Sequence, residues 1–536
     1  MHDVIIIGAG HNGLTAASYL ARAGKKVLVL ERRGVVGGAA VTGELAPGYR
    51  ISTASYLISL LLPEVERDLE LRKHGYKVLP RNPSSFTPFE DGRSLLMGSE
   101  MELNRREIAK FSARDSEAYP RYEALLNRIA DCLEPAMMET PADLLPLPKH
   151  WRSRGLFDRL RHFGRGHQLY RALAKLGDEL PEAMEILVGA ARPILDRWFE
   201  SDALKATLAT DAIIGTFQPI SAPGTGYVLL HHVMGSAGGA RGVWGYVEGG
   251  MGALTQALAK SAQAAGVEIR TNCAVAAIEA VGGRANGVRL ASGELLPARC
   301  VASNADAHVT FEKLLDKAHL PAKFRDAVAR IDYSSASMKI NFAVSELPNF
   351  TSRPGNAEPG PQHIGTIHIG VTLDDLERAY DDAKYGRPSA KPVIEMTIPS
   401  VLDQTLAPSG HHMVGLFVQY APYRLAAGNW DTLKDTFADR CIAEISRVAP
   451  NFAKSVLHRE VISPVDLERI FGLTGGNIFQ GAMGLHQLFS LRPVPGWSDY
   501  RTPLKGLYLC GAAAHPGGGV MGAAGRNAAR EMLRDL

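Results

Sequence analysis

The chain has 536 residues, too many for one ordinary core, so two or three domains are expected. Hydrophobic residues make up 46% and charged residues 21%, which excludes a disordered chain, and a net charge of only +3 gives no reason to invoke nucleic acid. Its five cysteines never form a CxxC, which argues against a disulfide framework or a dithiol redox centre and points to a reducing compartment.

Val4 to Ile7 is a continuous apolar, β-branched run, the pattern of a buried parallel strand. A strand starting near Asp3 leaves no room for a signal or transit peptide. No apolar run approaches the roughly 18 residues of a membrane span. A cytoplasmic protein is therefore expected. GAGHNG follows the strand, with Gly8, Gly10 and Gly13 in GxGxxG spacing and Asn12 inside the turn. Leu14 to Ala23 then reads as a helix closed by Gly24, and a second apolar strand, Val27 to Leu30, runs into Glu31 and Arg32. This is a complete βαβ context for a dinucleotide. Gly8 permits the tight turn, Gly10 lets backbone reach a pyrophosphate, and Gly13 lets helix and strand pack closely. The pyrophosphate would rest on the free N–H groups of the helix start. Glu31 suits ribose hydroxyls and repels a 2′-phosphate, which narrows the nucleotide to FAD or NAD. A second glycine pair, Gly37 and Gly38, followed by Ala39, favours FAD, because it lets backbone pass close to a longer cofactor.

From about residue 100 to 242 the chain is mixed and broken by prolines. Within it, 149–175 carries eight Lys or Arg against one Asp, a local +7, with aromatic and aliphatic residues interleaved. Such a segment suits an anionic lipid surface; the plainer alternative is a solvated helix pair. The histidine pairs His231, His232 and His411, His412 lack carboxylates or cysteines at ligand spacing, so no metal is expected. Gly245 to Glu294 reads as a turn, a helix over Ala253 to Ala265, a strand at Glu268 to Arg270, and a strand pair over Ala274 to Ala280 and Gly287 to Leu290. Cys300 to Ala307 adds another short strand. These would complete the nucleotide domain, with Val275 near the adenine. Further on, Met338 to Val344 and His412 to Tyr420 read as apolar strands of a separate sheet. The chain closes on LYLCGAAAHPGGGVMGAAG, again a strand, a glycine turn and a helix. Neither HExxH nor GxSxG occurs. The expected fold class is α/β with α+β insertions. A Rossmann-type FAD-binding domain is assembled from 1–99, 243–310 and 493–536, and a sheet-and-helix substrate-binding domain from 100–242 and 311–492.

The two glycine turns, with GYRISTASYLISLL from Gly48, PGTGYVLLHHVMG from Pro223, RGVWGYVEGGMGAL from Arg241 and DLERIFGLTGGNIF from Asp466, resemble the pyridine nucleotide-disulphide oxidoreductase domain-containing protein 2 family, within the FAD-dependent phytoene desaturase and amine oxidase superfamily. The blocks span nearly the whole chain. With no CxxC, a disulfide reductase mechanism does not follow from that family name. Phytoene desaturases place an arginine after the second glycine pair, where this chain has Ala39. The resemblance implies that the closing turn lies beside the isoalloxazine ring, with Gly511, Gly518, Gly519, Val520 and Met521 around it and a positive helix end favouring reduced flavin. It also implies that Lys339 matches the lysine that amine oxidases bridge by water to flavin N5. His515, at the lip of the closing turn, either faces the flavin or only shapes the bend; Glu248 and Tyr246 are further candidates. Three activities follow. The first is a dehydrogenase or desaturase acting on an apolar, isoprenoid or carotenoid-like substrate along a long apolar tunnel, reoxidised by oxygen or a quinone. The second is an amine oxidase with an aromatic cage. The third is a flavoprotein that binds a respiratory partner, since animal relatives are associated with mitochondria.

Overall fold

The computed structural model describes residues 1–143, 156–237, 240–370 and 372–536. Its first sheet is built on five parallel strands in the order Glu268–Arg270, Val27–Leu30, His2–Ile7, Leu295–Ser303 and Leu507–Leu509. The leading half of Leu295–Ser303 also pairs antiparallel with Arg284–Leu290, which forms a hairpin with Val275–Val281. Val4 to Ile7 and Val27 to Leu30 are buried throughout, as strands covered by helices on both faces must be. The opening helix His11–Arg22 lies between Met251–Ala264 and the closing helix Ala523–Asp535. It approaches the closing helix closely enough that a Cβ on Gly525 would sit 2.1 Å from the Asn12 carbonyl oxygen. The two ends of the chain are thereby brought together under one sheet.

A second, mixed sheet has seven strands in the order Val456–Ile462, Ser337–Val344, His412–Gln419, Val393–Thr397, Thr366–Ile369, Ser85–Pro88 and Ser94–Met97. Side chains alternate between its faces. Met338, Ile340, Phe342, Ile367, Ile394, Met396, Leu416 and Val418 point into an apolar layer closed by Trp430, Phe437, Cys441 and Ile445 of helix Trp430–Val448. Lys339, Asn341, Phe417, Glu395 and His368 alternate with them and so take the other face.

One expected boundary is corrected here. The segment 1–99 does not stay with the first sheet: Ser85 and Phe86 pair with Thr366 and Ile367, and Phe86 and Leu96 fill the apolar layer of the second sheet, with Phe86 edge-on to Phe350 at 5.2 Å. The helical region between 100 and 242 places Tyr122, Ile129, Ile186 and Leu229 in a core that takes in Val4 and Leu28 of the first sheet and also Leu373, Leu376 and Tyr420, and it meets the second sheet where Gln419 donates to the Ile213 carbonyl and accepts from the Gly215 N–H, both at 2.7 Å.

The basic segment 149–175 lies outside the described residues up to Gly155. Beyond it, Leu156–Ala174 is a helix whose Leu160, Phe163 and Tyr170 are 57%, 75% and 69% exposed. Arg161 pairs with Asp158, and Arg165 with Glu531. No helix among the described residues is long and apolar enough to cross a membrane.

Candidate active site

A cavity of about 850 Å³ runs from the opening glycine turn to the polar face of the second sheet. That volume is in the range of cofactor and substrate pockets. At one end Gly8 has φ +94° and Gly37 φ +122°, conformations that suit glycine. A Cβ on Gly13 would lie 2.3 Å from the Gly8 carbonyl oxygen, and one on Gly10 would lie 2.7 Å from Asn304 Nδ2. The turn is therefore as tight as backbone allows. Glu31 is buried and braces it, accepting from the Ala9 N–H at 2.9 Å and the Arg33 N–H at 3.0 Å; its free lone pairs remain on the cavity wall. Asn12 faces the cavity and accepts from the Gly525 N–H at 3.4 Å. Arg32 donates to the Ile470 carbonyl at 2.7 Å. The neighbouring Arg33 donates to the Gly38 carbonyl at 2.8 Å and stacks over Phe471. Gly38, Ala39 and Val275 also line this end.

The closing turn meets the same cavity through Gly519 and Val520. The other glycines of that turn stand behind the wall: a Cβ on Gly511 would strike the Asn304 carbonyl oxygen at 2.6 Å, and one on Gly518 would strike the Phe479 ring at 1.8 Å. Met521 is buried, and its carbonyl accepts from the Leu62 N–H at 3.0 Å. Beside Gly519, His11 Nε2 is buried without a partner, as are both ring nitrogens of His231 on the cavity wall. A glycine cradle at one end and orphaned ring nitrogens nearer the other fit an elongated cofactor that has polar ring edges.

Beyond this lies the sheet face. Lys339 is in register with Phe417, Phe417 with Glu395, and Glu395 with His368, so four neighbouring strands present one row to the cavity. Lys339 is 2% exposed; its Nζ donates to Asn341 Oδ1 at 2.8 Å and lies 5.1 Å from the centre of the Tyr56 ring. Burial lowers its pKa to about 7. Glu395 accepts from the Tyr56 hydroxyl at 3.1 Å. Burial, then the nearby Asp211, pushes its pKa up to about 8. Burial likewise raises Asp211 to about 6 and lowers His368 to about 4. Leu126, Leu208 and Leu229 supply apolar walls, as a long apolar tunnel would have, while the sheet side adds a polar row because its alternation sends the apolar strand residues to the opposite layer.

Two of the three catalytic candidates lie elsewhere. His515 is buried away from the cavity with its Nε2 against the Met137 carbonyl, and burial lowers its pKa to about 4. Glu248 turns outward into an ion pair with Lys77 at 2.7 Å. Tyr246 is buried under the Arg81 guanidinium. Sequence reasoning missed Asn304, Arg81, Asp211, Glu395 and His368. For the last two a signal existed, since each is a lone titratable residue in an apolar strand, the same signal that singled out Lys339.

The two-ended cavity, with a dinucleotide cradle and a buried titratable row, defines a flavin-dependent oxidoreductase. The family described as flavin containing amine oxidoreductase matches residues 13–533. A pyridine nucleotide-disulfide oxidoreductase domain-containing protein 2 from Rattus norvegicus is 50% identical, with 100% of this chain and 94% of the relative covered. A limonene dehydrogenase chain from Castellaniella defragrans is 26% identical over 100% of this chain and 95% of its own. Wild-type putrescine oxidase bound to putrescine has a like fold, with a TM-score of 0.61 at 15% identity over 100% of this chain and 98% of that one. The chain belongs to the pyridine nucleotide-disulfide oxidoreductase domain-containing protein 2 family, within the flavin containing amine oxidoreductases. It is an FAD-dependent oxidoreductase.

Proposed function

We propose that the protein is a dehydrogenase or desaturase that withdraws hydride from an apolar, isoprenoid-like carbon skeleton, with oxygen or a quinone taking the electrons onward. The observation that carries this reading is Lys339: a buried amine with a depressed pKa, held on the wall of the cavity that begins at the glycine cradle. Gly8, Gly10, Glu31, Gly37 and Gly38 would hold the dinucleotide, and the backbone of Gly519 and Val520 would meet the ring end. Bound FAD supplies the hydride acceptor. Lys339, half neutral near pH 7, takes a proton or orders a water, and Asn341 fixes its direction. Burial of Lys339, Tyr56 and Glu395 keeps bulk water from the reacting carbon. The apolar substrate is supported by the leucine walls and by the likeness to a limonene dehydrogenase chain.

An amine substrate is the second reading, favoured by Tyr56 and Phe417, whose rings stack 5.9 Å apart beside Lys339. Anaerobic mixing of the yellow holoprotein with polyenes, isoprenoids and amines separates these readings by which class bleaches the flavin. Bleaching by amines alone refutes the dehydrogenase reading, and bleaching by none favours a partner-binding flavoprotein. The exposed Leu160, Phe163 and Tyr170 on a basic helix support delivery of substrate from an anionic membrane surface. Five free cysteines support a reducing, cytoplasmic setting.

A further inference from the structure

The far end of the cavity carries an arginine that the reaction above does not use. Arg81 is 2% exposed and lines the cavity. Its Nε donates to the Trp244 carbonyl at 3.0 Å and its Nη1 to Thr366 Oγ1 at 2.8 Å, while the guanidinium lies over the Tyr246 ring. With the Tyr246 hydroxyl as a third partner, two of the five guanidinium N–H groups remain for a ligand. Ion pairs within 4.0 Å are made by many arginines of this chain, but among the described residues no carboxylate stands that close to Arg81. Polar groups on the same stretch of wall wait without partners: His368 Nδ1 and Ser85 Oγ are buried and unbonded. A buried guanidinium with no carboxylate on it is expensive unless a ligand supplies the anion.

Charge narrows the ligand. Asp211 and Glu395 face Arg81 from their own elements, and Glu395 is held largely protonated at neutral pH by burial, leaving Asp211 as the competing carboxylate. A singly charged head matches one free guanidinium, whereas a dianion would crowd Asp211. Geometry sets the length. Thr366 precedes His368 by two residues on the same strand and shares its face, and His368 lies three strands from Lys339. At about 4.8 Å per strand step and about 3.3 Å per residue along a strand, Thr366, which holds Arg81, and Lys339 are roughly 16 Å apart.

Resting on the reading that this cavity takes the substrate, we propose that Arg81 binds a carboxylate head group, so that the substrate is an amphipathic aliphatic or isoprenoid acid lying along the row from Arg81 to Lys339. Arg81 is a specificity-determining residue in this arrangement. It touches the end of the substrate remote from the bond that reacts.

The test is binding to the oxidised holoprotein, read as perturbation of the flavin absorption band, with decanoate, methyl decanoate, decanol and decyl phosphate as probes. Decanoate is expected to bind at least tenfold tighter than the ester or the alcohol, and tighter than the phosphate. In Arg81→Gln the ratio of acid to ester affinity is expected to collapse towards one. Should that variant fail to fold, the acid-to-ester comparison in the wild-type protein still decides. Equal binding of acid and ester overturns the site, and preferred binding of the phosphate overturns the carboxylate assignment. A ratio unchanged in Arg81→Gln, or no perturbation by any probe, overturns it as well. A protein whose flavin is bleached by hydrocarbons yet binds acid and ester alike refutes the head-group site and leaves the dehydrogenase reading intact.

Discussion

Replacing Lys339 with methionine keeps the length of the side chain and removes its titration. The folded lysine releases its proton near pH 7, whereas the unfolded chain holds it to about 10.5. Between those values the unfolded state binds more protons, so this residue makes stability rise with pH. The two pH units from 7 to 9, at about 1.4 kcal/mol each, amount to about 3 kcal/mol. Lys339→Met is therefore expected to be more stable than wild type at pH 6, with an advantage about 3 kcal/mol smaller at pH 9. Chemical unfolding of both proteins at the two pH values measures this, and subtracting one from the other cancels every other titrating group. In parallel, the rate of anaerobic flavin reduction in the wild type should climb with an apparent pKa near 7, and the variant should lose that step. An advantage that is the same at pH 6 and pH 9 would refute a buried, pKa-depressed Lys339.

Three further outcomes are expected. Gly13→Ala drives a Cβ to 2.3 Å from the Gly8 carbonyl and opens the cradle, at about 1–3 kcal/mol, so reconstituted apoprotein should bind FAD roughly 5- to 150-fold more weakly. Its control is Gly24→Ala, where φ is +80° but nothing lies within 4 Å, which should lower stability and leave FAD affinity alone. His515→Ala strands the buried Met137 carbonyl and should lower stability by about 1–3 kcal/mol, read by chemical unfolding, without changing the rate of flavin reduction. Wild-type protein should co-sediment with anionic phospholipid vesicles and not with zwitterionic ones, and a Phe163→Ser, Tyr170→Ser double variant should lose most of that binding.

The features legible in the sequence were those that local pattern decides. The βαβ unit of Val4 to Leu30 is written in one continuous stretch, so its strand, turn, helix and strand lie where expected, with the helix starting at His11 because the glycine turn already feeds it. Lys339 stood out as a charge in an apolar strand. Glu395 in VIEMT and His368 in TIHI carried the same signal, and only their register across strands makes them one row. Arg81 gave no local sign, since its meaning comes from Thr366 and Trp244, far away in sequence. His515 and Glu248 misled for the opposite reason: each adjoins a glycine turn, but its direction is set by Met137 or Lys77 from another segment.

The alternation of the second sheet has a consequence for how the protein can fail. Its cavity face and its apolar face are alternate positions of the same strands, so slipping any strand by one residue would exchange them. Such a slip would press Lys339 or Glu395 into the layer of Phe342, Trp430 and Phe437 and expose their apolar neighbours to the cavity. A sheet mispaired at either of those strands therefore cannot be a slightly worse enzyme; it must bury an unpartnered amine or carboxyl group, and the same stacking of strands that sets out the reactive groups also acts as the proofreader of its own assembly.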